Sequence, residues 1–76
     1  MRKEPHPAVT KFGENVRSIR ESLEWTQERL AKHAALDQTF ISGIERGSRN
    51  PTVITITKLS KALNTTAARL CEGIDV

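Results

Sequence analysis

From Val9 onward the apolar residues return at steps of three and four: Val9, Phe12, Val16, Ile19 and Leu23. That rhythm predicts an amphipathic helix over residues 9–23. After Trp25 the period restarts in a shorter unit. Leu30, Ala31 and Ala34 make a stripe about one and a half turns long. Before it stands Thr26, whose hydroxyl can accept an orphan backbone N–H, and Glu28 puts an acid in the first turn. Arg29 occupies the place where a capping box would carry Glu or Gln. A third unit opens at Asp37, a strong N-cap, runs through Ile41 and Ile44 and stops at Gly47. Only Ala35 and Leu36 are left to turn the corner between the second and third units.

Ser48-Arg49-Asn50-Pro51 is a turn-forming cluster, and Pro51 drives Asn50 out of the helical region. Thr52 then caps a fourth helix with Val53, Ile56, Leu59, Ala62 and Leu63 on one face. Its start, VITIT, alternates like a strand, but from Lys58 the helical period holds and no second strand exists to pair with. Asn64 suits a left-handed C-cap and Thr65 an N-cap, with a short fifth helix from Thr66 to Cys71 that ends at Gly73. The pattern is all-α: five helices, no strand and no internal repeat.

The second and third units are too short to be stable alone, because nucleation is costly and helical stability comes from packing an apolar face. The flanking helices must supply that packing. Two short helices joined by a tight turn, with small polar residues outside the second, have the helix-turn-helix geometry that reads the DNA major groove. With Ile41 and Ile44 inward, Gln38, Thr39, Ser42 and Gly43 lie outward or near the start of a recognition helix spanning about 37–46. Gln38 can bond an adenine edge through two atoms, worth about 1–3 kcal/mol of discrimination. Thr39 and Ser42 can bond several bases, and Thr39 offers a methyl to thymine. On composition alone the same residues read as an ordinary solvated face. Gly43 is the more informative residue, since a mid-helix glycine costs roughly 1 kcal/mol against alanine and implies close approach of DNA or of a packed helix. Phe40 admits two readings, flanking the core or pressing on a sugar or a thymine methyl.

Phosphate contacts are expected around the rim, from Thr26 and Gln27 at the start of the second helix and from Arg46, Ser48, Arg49 and Asn50 after the third. Arg20 lies beside Ile19 and Glu45 beside Ile44, each at the edge of an apolar stripe. A partly buried ion pair between them would clamp the first helix to the recognition helix.

Composition narrows the rest. Seventy-six residues make one small domain, near the lower limit for a self-sufficient core, so a dimer partner is a natural source of stability. The net charge of +3 and pI near 9.5 favour polyanions. A single cysteine, Cys71, forms no intrachain disulfide and fits a reducing cytoplasm. Residues 1–8, with Pro5 and Pro7, read as a flexible arm before a domain over 9–76; they lack the apolar core of a signal peptide, and no run approaches membrane-spanning length. His6, His33 and Cys71 have no acid or nucleophile at catalytic spacing and no metal-ligand companions. No enzyme, cofactor, metal, membrane or small-molecule ligand is expected.

The residues Arg20, Thr26-Gln27-Glu28 with Leu30-Ala31, Ile41-Ser42, Ile44-Glu45-Arg46-Gly47, Asn50-Pro51 and Ala62-Leu63 together carry a family resemblance. From Phe12 to Gly73 the chain resembles the Cro/C1-type (Xre-like) helix-turn-helix regulators. The run LDQTFISGIERGSRNPT looks particularly like the controller proteins of restriction-modification systems. The resemblance implies a five-helix, lambda-repressor-like domain that acts as a homodimer on palindromic double-stranded DNA, with half-sites about 34–36 Å apart. It implies Gln27 on phosphate, Gln38, Thr39 and Ser42 facing bases, and Arg46, Arg49 and Asn50 along the backbone. It makes Arg20 and Glu45 the structural ion pair and sets the dimer around Ile54, Leu70 and the segment after Asn64. The chain departs from the pattern at Ala35, where the corner usually holds glycine, and at Gln38 and Phe40, where controllers often have arginine and tyrosine. Two other uses of the fold compete: an antitoxin, which needs a toxin-binding extension, and a protein-interaction module, whose recognition face would lack positive potential.

Overall fold

The computed structural model describes residues 6–74 and holds five helices in chain order: α1 (Pro7–Ser22), α2 (Gln27–Ala34), α3 (Gln38–Arg46), α4 (Val53–Ala62) and α5 (Ala67–Leu70). Four of the five start on an expected kind of cap. Thr26 Oγ1 accepts from the Arg29 N–H at 3.1 Å, Asp37 Oδ1 from Thr39 at 2.8 Å, Thr52 Oγ1 from Thr55 at 3.1 Å and Thr66 Oγ1 from Arg69 at 3.0 Å. Each such cap stabilises its helix by about 1 kcal/mol. The cap at Thr52 draws the strand-like VITIT run into a helix.

Three boundaries or faces differ from expectation. First, α1 begins at Pro7 rather than Val9, because proline at the first helical position loses no needed N–H and His6 Nδ1 accepts from the Ala8 N–H at 3.0 Å. The remainder of the expected arm, residues 1–5, lies outside the described residues. Second, α5 is capped by Thr66, not Thr65. Asn64 does take the left-handed conformation, at φ 55°, and the following Thr65 N–H closes back on the Ser60 carbonyl at 2.8 Å, so the chain becomes extended one residue later. Third, Val53 is 79% exposed, while Thr55, Leu59 and Leu63 turn inward with Ile56 half-buried. Val53 precedes the point at which α4 enters the core.

The core is Phe12 and Val16 of α1, Leu30, Ala31 and Ala34 of α2, Ile41 and Ile44 of α3, Leu59 and Leu63 from α4 and its end, and Leu70 of α5. Fully burying one large aliphatic side chain is worth about 1.5–3 kcal/mol, so the shared core supplies what the short helices lack alone. α1 packs on α3 and α5, α2 on α3 and α4, and α4 on α5. Leu70 belongs wholly to this core, at 0% exposure, which removes it from the expected dimer surface.

Two residues of α1 that the apolar rhythm passes over hold the bundle together. Gly13 is buried where α1 crosses α3, and a Cβ there would collide with the Ile44 carbonyl oxygen and lie 3.1 Å from that of Glu45. Backbone meets backbone at this crossing. Asn15, also buried, donates from Nδ2 to the carbonyls of Leu70 and Glu72, both at 2.8 Å, and so supplies donors to carbonyls that the short α5 cannot satisfy internally. Among the described residues no helix is long and apolar enough to cross a membrane, and no group of three or more metal-binding side chains is present.

Candidate nucleic-acid interface

The corner between α2 and α3 is as tight as the sequence suggests. Ala35 closes α2 in the left-handed conformation at φ 55°, ψ 46°, Leu36 N–H returns to the Ala31 carbonyl at 2.9 Å, and Asp37 already caps α3. An L-residue with a Cβ costs roughly 1–2 kcal/mol in that conformation, so the alanine is mildly strained where glycine would be relaxed.

The orientation of α3 is fixed from behind. Arg20 Nε donates to Glu45 Oε2 at 2.7 Å and Nη2 to Oε1 at 3.0 Å, a two-point fork between α1 and α3. Both side chains are nearly buried, at 11% and 3% exposure. The third guanidinium nitrogen, Nη1, donates to the Trp25 carbonyl at 2.6 Å, tying in the linker before α2. Hydrogen bonding to Glu45 holds the Arg20 guanidinium above its ordinary pKa, against the opposing effect of burial. A raised folded pKa contributes stability that is fully present below the unfolded value, so Arg20 holds its charge throughout the physiological range. Glu45 Oε1 also accepts from Gln27 Nε2 at 3.0 Å. The amide expected to meet phosphate is therefore oriented by the ion pair behind it.

On the outer side, Gln38 and Thr39 are exposed in the first turn of α3 and Ser42 is half-buried one turn on. With Gln27 from α2 they line one shallow polar hollow. Ser42 Oγ accepts from Arg46 Nη1, so the two share a line along the helix. Arg46, Ser48, Arg49 and Asn50 are all exposed at the far end, and Ser48 Oγ bonds the Gly43 carbonyl at 3.1 Å. Positive charge thus borders the polar hollow. Glu45 is compensated by Arg20, and Asp37 is occupied as the cap of α3.

The profile of the helix-turn-helix family HTH_3 matches residues 16–70. The chain belongs to that family. It is a Cro/C1-type helix-turn-helix protein, and its relatives include restriction-modification controllers. It is 46% identical over 59 residues to the control protein C.SmaI of Serratia marcescens, covering 78% of this chain and 70% of that one. Its structure is similar to that of the controller protein C.AhdI from Aeromonas hydrophila, with TM-score 0.83, 35% identity and coverage of 86% and 98%. The controller C.Esp1396I, solved as a tetramer in complex with its natural 35 base-pair operator, matches with TM-score 0.80 and 35% identity over 86% of each chain.

Within this helix-turn-helix frame, one expected base-facing residue is corrected. Gly43 is buried, lying beneath the side chains of Arg49 and Ser48 rather than opening to the outside. The close approach inferred from its cost is real, but the approaching group is Arg49. Phe40 takes the first of its two readings: it packs half-buried against the core, and the Arg49 guanidinium lies over its ring, 5.9 Å from the centroid. His33 stacks on Trp25 at 4.4 Å between centroids, with Arg29 over the same indole at 5.0 Å. Gly13, Asn15 and the Gln27–Glu45 bond were not legible beforehand. The available signal was a small and a polar residue placed directly beside Phe12 and Val16 on an otherwise regular helix.

Proposed function

We propose that this helix-turn-helix protein is a sequence-specific transcriptional regulator that binds a palindromic operator as a homodimer, with α3 in the major groove. The observation that carries the reading is the exposure of Gln38 and Thr39 at the start of a helix locked by the Arg20–Glu45 fork, with Arg46 and Arg49 exposed at its other end. Gln38, Thr39 and Ser42 would meet base edges, and Phe40 a thymine methyl or a sugar. The start of α2 at Thr26 and Gln27, together with Arg46, Ser48, Arg49 and Asn50, would fix register on phosphates. The operator complex of C.Esp1396I supports a double-stranded DNA partner of the same kind. Self-association is favoured by Val53 and Ile54, adjacent aliphatic residues 79% and 70% exposed at the start of α4. The assembly would work in the cytoplasm without a cofactor.

Selection from a random duplex pool at two salt concentrations tests the reading. An enriched palindrome with half-sites one helical turn apart is the expected result. Binding that is purely salt-dependent, with no sequence enriched, would remove it.

A further inference from the structure

The residues outside the polar hollow make a second device on the recognition helix. Phe40 and Gly43 are three apart on α3 and therefore neighbours on one stripe. Arg49, in the loop beyond the helix, crosses this stripe. An ideal Cβ on Gly43 would fall 2.5 Å from Arg49 Cγ, 3.5 Å from its Cβ and 3.4 Å from Ser48 Oγ. Farther along, the guanidinium reaches the Phe40 ring at 5.9 Å. The side chain thus runs back along α3 toward its N-terminal end, stem over glycine and charge over the aromatic ring, while Arg49 itself remains exposed.

We infer that Gly43 is a positioning residue for DNA binding: its missing Cβ is the clearance that lets Arg49 lie along the recognition helix, where Phe40 holds its charge ready for the nucleic acid. This rests on the DNA-binding reading and deepens it by assigning how one cation is aimed. A free arginine loses much rotamer freedom on binding, and a planar guanidinium already resting on a ring has less left to lose. The aromatic residue Phe40 and the glycine Gly43 are then both requirements of one side chain. The mid-helix glycine, unfavourable for α3 as an isolated helix, is accounted for by the same geometry.

The test is a double-mutant cycle on the duplex selected by the wild-type protein, with Gly43→Ala, Arg49→Ala and the double variant. Gly43→Ala is expected to leave the melting temperature unchanged or raise it, since alanine favours the helix and Arg49 can swing away. It should nevertheless weaken binding about tenfold and lower the salt slope by about one per protomer, the same effect expected of Arg49→Ala. In the Arg49→Ala background the glycine substitution should then change neither quantity. If Gly43→Ala binds like wild type while Arg49→Ala is weakened, or if the two losses add, the positioning role is wrong although the regulator reading stands. If the wild-type protein selects no duplex, the failure lies in the regulator reading itself and the positioning role falls with it.

Discussion

Arg20 and Glu45, 25 residues apart, meet as a buried two-point fork at 2.7 and 3.0 Å, and through Gln27 the same carboxylate reaches the start of α2. Three helices and one linker carbonyl are joined through one ion pair. The position of α3 is therefore decided behind the interface, before any DNA arrives.

Breaking this fork from one side leaves a charge stranded in a nearly dry site. Arg20→Met or Glu45→Leu is expected to cost about 3–5 kcal/mol, a large share of the roughly 5–10 kcal/mol available to a chain this size. The double variant should lose less than either single variant, because no buried charge remains. Thermal and urea denaturation of the three variants checks this. Additive losses would mean that the pair acts as two independent residues.

Gly13 and Gly43 look alike in the sequence and should respond oppositely to alanine. At Gly13 the obstacle is the backbone of Ile44 and Glu45, which cannot step aside. Gly13→Ala should therefore destabilise by about 1–3 kcal/mol despite its better helix propensity. Calorimetry gives the sign directly, and a stabilised Gly13→Ala protein would refute the crossing described between α1 and α3.

The contrast between these two glycines explains much of what was legible in advance. Thr26, Asp37 and Thr52 announce their helices because a cap and the apolar period behind it are local. Arg20 and Glu45 were open to pairing because each flanks a periodic stripe, and it was the family resemblance that made them a pair. Gly13 and Asn15 act on groups brought close only by tertiary packing, the Ile44 carbonyl and the Leu70 carbonyl 55 residues away, and Arg49 acts on the Phe40 ring through the loop that folds back after α3. Val53 and Leu70 misled for a related reason. Period alone does not say where along its length α4 enters the core, or that so short a helix as α5 places its leucine entirely inside.

Ala35 holds the corner in a left-handed conformation that glycine would adopt without a Cβ penalty. Ala35→Gly is expected to raise stability by up to about 1 kcal/mol, the relief of strain being partly offset by the entropy of the unfolded chain. Equilibrium unfolding would check this, and a clear loss of stability would show that the methyl group contributes packing.

Ile54 stands exposed beside Val53 and makes no part of the core. If this pair seats a second copy, Ile54→Asp should raise the dimer dissociation constant at least about tenfold. Its melting temperature at high dilution should stay near that of the wild type. Sedimentation equilibrium separates the two effects, and an unchanged constant would move the dimer surface elsewhere.

The most direct test of the whole account concerns Gln38, exposed in the first turn of a helix whose orientation the Arg20 fork sets. The measurement is the duplex sequence enriched by the wild-type protein and by Gln38→Ala from one random pool. A palindrome for the wild type, and the same palindrome relaxed at one symmetric position per half-site for the variant, is the predicted result, with about 1–3 kcal/mol of discrimination lost there. An identical motif for both proteins would contradict base reading by α3 as described.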